Sequence, residues 1–258
     1  MASGKNAAML APSTDAAPDV GPHAALMRQA VTEQWTLDAV DWSIAPRPPR
    51  FLPRRLYIAA VSQLYHGEAL ALDLCLRAHA LVDEPAVRAF LALQRRDEAR
   101  HTAVYRRYLM CLGDVAPPLA AFEMARAAAA ASQDPLAIIL FVHLVLETEA
   151  LNLHRDLFEP LGCPLLHAAM TRIDRDEARH VEFGRWYVSA RLAALSPERR
   201  HDLAAWLRAL WWTLAQEAVA ALLTPRIRAT GKLLDTRWAA CATVLRAQGL
   251  PHPEGGVP

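Results

Sequence analysis

The stretches Asp97-Glu98-Ala99-Arg100-His101 and Asp176-Glu177-Ala178-Arg179-His180 are identical over five residues and lie 79 positions apart. Each contains Glu-x-x-His within a run rich in Ala, Leu and Arg, all strong helix formers. On a helix, positions i and i+3 share a face, so each motif presents a carboxylate and an imidazole together. The same offset of 79 links Glu68 to Glu147, and each precedes its Glu-x-x-His glutamate by 30 residues. Halfway between Glu68 and Glu98 lies the turn Val82-Asp83-Glu84-Pro85. Halfway between Glu147 and Glu177 lies Leu161-Gly162-Cys163-Pro164. In two antiparallel hairpins the paired glutamates therefore stand level, about 20 Å from their turn at 1.5 Å per residue. Glu68, Glu98, His101, Glu147, Glu177 and His180 are expected to converge as metal ligands in the middle of a four-helix bundle. Four glutamates in an apolar core repel one another and lose their hydration, a problem that two divalent cations remove. The oxygen and nitrogen donor set suits iron or manganese better than zinc.

Outward from these motifs the chain reads as all-α. Runs of alternating β-branched residues and Asn-Gly hairpin signals are nearly absent. Prolines fall at helix starts: Asp134-Pro135, Ser196-Pro197 and Thr224-Pro225 each pair a capping residue with a proline at the first helical position. Long helices are expected over about 54–81, 85–112, 135–160, 164–194, 197–223 and 225–247. Shorter ones are expected over 118–131 and Ala25 to Val40. Residues 1–25, rich in Ala, Pro, Ser, Gly and Asp, read as a disordered leader. Four prolines between Ala45 and Pro53 make that stretch a linker. Residues 26–250 are expected to form a single domain, with its core bundle over about 54–194.

Bulk composition narrows the function classes. With 28 Lys+Arg against 27 Asp+Glu among 258 residues, interspersed along the chain, no basic stripe suggests a nucleic-acid partner. Cys75, Cys111, Cys163 and Cys241 are scattered and form no C-x-x-C, so a zinc ribbon or rubredoxin-type site is not expected. They read as reduced, buried thiols. No apolar run follows the N-terminus as a signal peptide would require, and the apolar stretch Leu136 to Leu146 is too short to cross a bilayer. A cytoplasmic protein without a membrane partner is expected.

The paired Glu…Glu-x-x-His pattern resembles the ferritin-like di-iron carboxylate superfamily, whose bundles take one glutamate from each of two helices and a Glu-x-x-His from each of the others. The resemblance covers roughly residues 54–194. It implies a ferritin-like four-helix bundle with additional N- and C-terminal helices and two iron ions, with manganese possible at one position. The helices beyond the bundle are similar to those of the ribonucleotide-reductase small subunit, the related ligand-binding oxidases and small-substrate oxygenases such as 4-aminobenzoate N-oxygenase. In that last family a further histidine precedes the second Glu-x-x-His by one turn; here the position is Ile173. The resemblance implies an O₂-activating oxygenase or oxidase acting on a small organic substrate, with an external electron donor and a homodimer as its assembly. Two alternatives stay open: an iron-storage or peroxide-detoxifying ferritin-like protein, and a radical-generating subunit of a larger enzyme.

Further positions carry weaker signals. Tyr105 follows His101 by one turn. In the reductase small subunit a tyrosine at that spacing carries a radical, while the plainer reading is a hydroxyl bonded to a ligand carboxylate. The offset of 79 maps Tyr105 onto Gly184, which either leaves space for substrate or marks a close helix contact. Asp97 and Asp176 are candidates to accept from the histidines' outer ring nitrogens, or to pair with Arg100 and Arg179. Trp42 is a possible member of that network and otherwise an anchor for the N-terminal segment. Glu149, two residues from Glu147, points to nearly the opposite face. His143 and His154 lie on the Glu147 side and either line a pocket or pack the bundle.

Overall fold

The computed structural model describes residues 23–222 and 230–251. Among the described residues there are eight helices and no strand: α1 Ala24–Thr32, α2 Arg54–Leu81, α3 Pro85–Leu112, α4 Ala120–Ala131, α5 Pro135–Leu161, α6 Pro164–Ala193, α7 Pro197–Leu222 and α8 Thr230–Ala247. The helices form where propensity and start signals agree. Pro85, Pro135 and Pro164 each occupy a first helical position. At the start of α5 the Asp134 carboxylate accepts from the amides of Leu136 (2.9 Å) and Ala137 (3.4 Å). At α7 the Ser196 hydroxyl accepts from Arg199 N (3.2 Å). The expected leader falls almost wholly outside the described residues, and so does the Thr224-Pro225 restart.

Two hairpins, α2–α3 and α5–α6, make the central bundle. The second turn uses Gly162 at φ 68, in the left-handed region where a side chain would be strained. α4 carries the chain from one hairpin to the other across α2. α7 packs on α2, α4 and α5, α8 on α7 and α5, and α1 lies against α3 and α6. The buried apolar residues of these four helices and their turns separate into two groups. One comprises Leu70–Val82, Val87–Leu91, Leu136–Val145 and Val181–Leu192. The other comprises Tyr57–Leu64, Val104–Leu112, Phe158 and Cys163–Ile173. In every core helix the glutamate and histidine positions fall between the two groups. The polar residues are therefore a layer across the middle of an otherwise apolar core.

Two elements differ from the sequence expectation. The helix expected over Ala25 to Val40 stops at Thr32 and resumes only as a 3₁₀ turn at Leu37–Ala39. In the intervening residues the Gln34 and Trp35 side chains reach across to Asp97 and Asp176. α5 is one 27-residue rod that is long and apolar enough to cross a membrane, but most of its apolar window is buried inside the bundle. It is not uniformly α-helical: Leu140–Leu146 and His154–Phe158 are π-helical, on either side of an α segment, Glu147–Leu153. Such insertions rotate the faces before and after them relative to one another.

Gly184 does not open a cavity. A Cβ built there would lie 2.3 Å from His143 Cβ, so the space opposite Tyr105 in the repeat is occupied by α5 itself. The clashing atom is a Cβ, bonded directly to the α5 backbone, and cannot swing away. The clash outweighs the roughly 1 kcal/mol that alanine gains over glycine in a helix. Gly184→Ala is expected to destabilise the fold by about 1–3 kcal/mol, the usual cost of overpacking. A denaturant titration showing wild-type stability would remove the close-contact reading.

Candidate metal centre

The structure brings Glu68 from α2, Glu98 and His101 from α3, Glu147 from α5, and Glu177 and His180 from α6 into one buried layer. Their donor atoms form two overlapping groups, each with all atoms within 4.8 Å of one another. One is Glu68, Glu98, His101 and Glu177; the other is Glu98, Glu147, Glu177 and His180. Glu98 and Glu177 belong to both. Each group therefore has one glutamate of its own, one histidine and two shared carboxylates, and the offset of 79 exchanges the two. His101 Nδ1 lies 3.3 Å from Glu68 and 3.0 Å from Glu177. His180 Nδ1 lies 3.2 Å from Glu98, 3.0 Å from Glu177 and 3.9 Å from Glu147.

The electrostatics set the shared carboxylates apart from the unshared ones. Burial and the neighbouring Glu177 push the Glu68 carboxyl well above the usual range, and the same causes raise Glu147. Burial also works to raise Glu98 and Glu177, but hydrogen bonds and charge from His101 and His180 outweigh it and hold both low. Burial disfavours the imidazolium at His101 and His180, yet the surrounding carboxylates overcome it and raise both. The two shared carboxylates are thus favoured as anions, and the two unshared ones resist charge unless a cation lies beside them. Glu98 Oε2 and Glu177 Oε1 are buried and make no aligned hydrogen bond, although His101 Nδ1 lies 3.5 Å and 3.0 Å from them. Two shared carboxylates flanked by imidazoles fit a dinuclear site for hard-to-borderline divalent ions.

Behind the layer the repeated pentapeptide builds a brace that crosses between the hairpins. His101 donates from Nε2 to Asp176 (3.0 Å), and His180 donates from Nε2 to Asp97 (3.2 Å). Each aspartate therefore orients the histidine of the other motif and turns its Nδ1 into the cluster. Arg100 Nη2 donates to Asp97 (2.6 Å) and Asp176 (2.8 Å), and Arg179 Nη2 donates to Asp97 (2.9 Å) and Asp176 (2.7 Å). Both sequence readings of the aspartates hold at once: they accept from the histidines and pair with the arginines, and they are buried. Burial alone would raise their carboxyls, but the histidine and arginine partners hold both below the usual range.

The N-terminal segment completes the brace. Gln34 Nε2 donates to Asp97 (2.9 Å), and Trp35 Nε1 donates to Asp176 (2.8 Å) with the Arg100 guanidinium 4.6 Å over its ring. Trp42 stays outside, donating to Leu37 O under the Arg107 guanidinium, as an anchor would. Trp35 and Gln34 carried no spacing signal in the sequence. Gln94 did: it precedes Glu98 by one turn on the same face. Its Nε2 donates to Glu98 (3.0 Å) and Glu147 (3.2 Å), and its Oε1 lies 2.7 Å from His143 Nε2, whose other ring nitrogen faces Ile139 O at 3.0 Å. His143 thus reaches the cluster through Gln94. Burial and the nearby His180 push its imidazole down to about 4.

Two other positions resolve differently. Glu149 turns away from the cluster to accept from Arg237 Nε on α8 (2.7 Å). The Tyr105 hydroxyl bonds no ligand carboxylate; it lies 2.7 Å from His154 Nε2.

No protein-family model matches the sequence, and no curated protein matches it. Solved structures do. A variant of an R2-like ligand-binding oxidase with an aerobically reconstituted Mn/Fe cofactor superposes with a TM-score of 0.64 at 19% identity, over 89% of this chain and 93% of that one. Another variant, reconstituted with Mn/Fe anaerobically, gives 0.65 at 18% identity over 89% and 92% of the two chains. An R2-like ligand-binding oxidase with an aerobically reconstituted Mn/Fe cofactor after a long soak gives 0.63 at 18% identity over 88% and 91%. The chain has the ferritin-like helical-bundle fold, in the form that fold takes in these R2-like oxidases.

Proposed function

We infer that this chain is an O₂-activating oxidase or oxygenase that holds a dinuclear iron or manganese/iron centre and acts on a small organic substrate. The observation that carries the reading is the pair of four-residue donor groups sharing Glu98 and Glu177. Glu68, Glu98, His101, Glu147, Glu177 and His180 would hold the ions. Two such ions, when bound, supply the reduction of O₂ and the oxidising power for hydroxylation, N-oxygenation, desaturation or oxidative cleavage. Asp97 and Asp176 keep the imidazoles aimed, and Gln94 positions the Glu98 and Glu147 carboxylates. The electrons come from an external donor. The free cysteines suit a reducing, cytoplasmic setting.

A cavity of about 150 Å³ supports the substrate half of the reading. Leu64, Gly67, Ala71, Leu146 and Leu153 line it, and Glu68 and Glu147 form part of its wall. A cavity of this volume, with a largely apolar wall, holds a molecule about the size of benzene. The reacting fragment is therefore small and apolar, and it would sit against the Glu68–Glu147 side of the centre.

Three outcomes test this. Metal analysis of the purified chain should give two ions per chain. Glu68→Ala should lose chiefly one of them, whereas Glu98→Ala, which removes a shared ligand, should lose both; equal losses would contradict the shared-carboxylate arrangement. Gly67→Leu should retain both ions and the fold, since nothing lies within 4 Å of a Cβ there, while filling the cavity and abolishing O₂ consumption in the presence of substrate. Full turnover in that variant would place the substrate elsewhere. Size-exclusion chromatography should give a small assembly, a homodimer; a large shell-like particle would favour iron storage instead.

A further inference from the structure

The face of α5 that walls the cavity carries a second carboxylate with no part in the metal layer. Leu146, Ala150 and Leu153 succeed one another at i+4 and i+3, so they form one stripe of the helix, and all three line the cavity. Glu147 flanks this stripe on one side and reaches the centre. Glu149 flanks it on the other side and also lines the cavity. Arg237 and Cys241 of α8 lie against it, yet 16% of its side chain stays accessible.

The polar side chains of the cavity wall differ in what they have left to bond. Glu68 and Glu147 belong to the ion donor groups. Gln63 is spent on the backbone: its Nε2 donates to Ala59 O (3.1 Å) and Pro117 O (3.4 Å), and its Oε1 accepts from Leu119 N (3.2 Å). Glu149 is only half used. A guanidinium only donates, so Glu149 Oε1 accepts from Arg237 Nε at 2.7 Å. Oε2 has the Cys241 thiol at 3.9 Å, a weak donor at long range. The Trp211 indole N–H approaches the same carboxylate but makes no aligned hydrogen bond. A carboxylate has room for about four hydrogen bonds, and a buried acceptor left short of donors is costly. The Arg237 guanidinium already balances the charge. What the pair lacks is a donor, not a counter-ion.

We propose that Glu149, held in place by Arg237, determines substrate specificity by accepting a hydrogen bond from an N–H or O–H group of the molecule in the cavity. The substrate is then a small, largely apolar molecule with one neutral donor group. Its reacting fragment faces Glu68 and Glu147, and its donor faces Glu149 Oε2. A hydrocarbon of the same shape fits the cavity but leaves the carboxylate short, and sites built to hydrogen-bond a ligand discriminate strongly against analogues that lack the group. Arg237 acts through Glu149 as a positioning residue, since it fixes Oε1 and so the direction in which Oε2 points. The inference rests on the reading of this cavity as the substrate site.

The test compares pyrrole with furan, two rings of nearly equal size and shape, on the full chain loaded with redox-inert zinc. Pyrrole carries an N–H donor and no lone pair free to ligate an ion; furan carries no donor. Equilibrium binding is followed by ligand-observed NMR. The wild-type chain should bind pyrrole about tenfold or more tightly than furan, as a hydrogen bond to a charged acceptor implies. Glu149→Met should bring pyrrole down to the affinity of furan and leave furan unchanged. If that variant, with Arg237 unpaired, does not fold, the double variant Glu149→Met with Arg237→Met removes the buried pair together and should lose the same preference. Gly67→Leu, which fills the cavity, should abolish binding of both rings. Equal affinities in the wild type, a preference that survives in a folded Glu149 variant, or binding that persists in Gly67→Leu would overturn the proposal. Furan bound as tightly as pyrrole removes this inference alone, whereas binding of neither ring removes it together with the reading of the cavity as the substrate site.

Discussion

The structure depends on one electrostatic constraint: four carboxylates must share a dry layer at the centre of a helical bundle. Unscreened, their mutual repulsion and lost hydration are far larger than the net stability of a domain. The bundle meets the constraint in two shells. Within the layer the imidazoles of His101 and His180 sit among the glutamates. Behind it, two arginines lie against two aspartates, so the outer shell is itself charge-balanced. The N-terminal segment exists in its observed form because Gln34 and Trp35 satisfy the remaining acceptor sites on those aspartates. Remove the layer and little else in the sequence requires α1 to stop at Thr32, or the core to divide into two apolar halves.

Much of the layer was legible in the sequence because helices preserve register. A period of 3.6 and two turns marked by proline suffice to make Glu68 level with Glu98, and Glu147 level with Glu177. The same regularity separated Glu147 from Glu149. What could not be read depends on relations between helices. That Asp97 serves His180, and not the histidine of its own motif, follows from how α3 faces α6. Trp35 reaches Asp176 from a segment with no periodicity at all. From its place in the repeat Gly184 could be either open space or a close helix contact, and only the packing of α5 on α6 shows it to be the contact. The two π segments of α5 are invisible to a helical wheel, since each changes the period on which the wheel relies. His154 comes into line with Tyr105 just where the second of them begins.

The ligands obey the internal repeat and their surroundings do not. Gln94 has Ile173 as its counterpart, and Tyr105 has Gly184. Polar support, the cavity and the phenol are thus distributed unequally around a symmetric donor set. One consequence is that the two donor groups differ in their chemical surroundings although their residue types are alike. Only the Glu98–Glu147 edge receives the amide of Gln94.

The crossed brace bears on how the centre comes into being. Each hairpin carries a histidine that only the other hairpin can aim, so neither is a half-site in its own right. The relation is that of an isologous interface, in which a surface patch meets its own twofold image and every contact occurs twice. Here the two images belong to one polypeptide, joined by α4. A covalent linker makes their encounter intramolecular and independent of protein concentration. It also frees the two copies to diverge, as two identical subunits cannot. The asymmetry of Gln94, Tyr105 and Gly184 is of a kind open to a pseudo-dimer and closed to a true one.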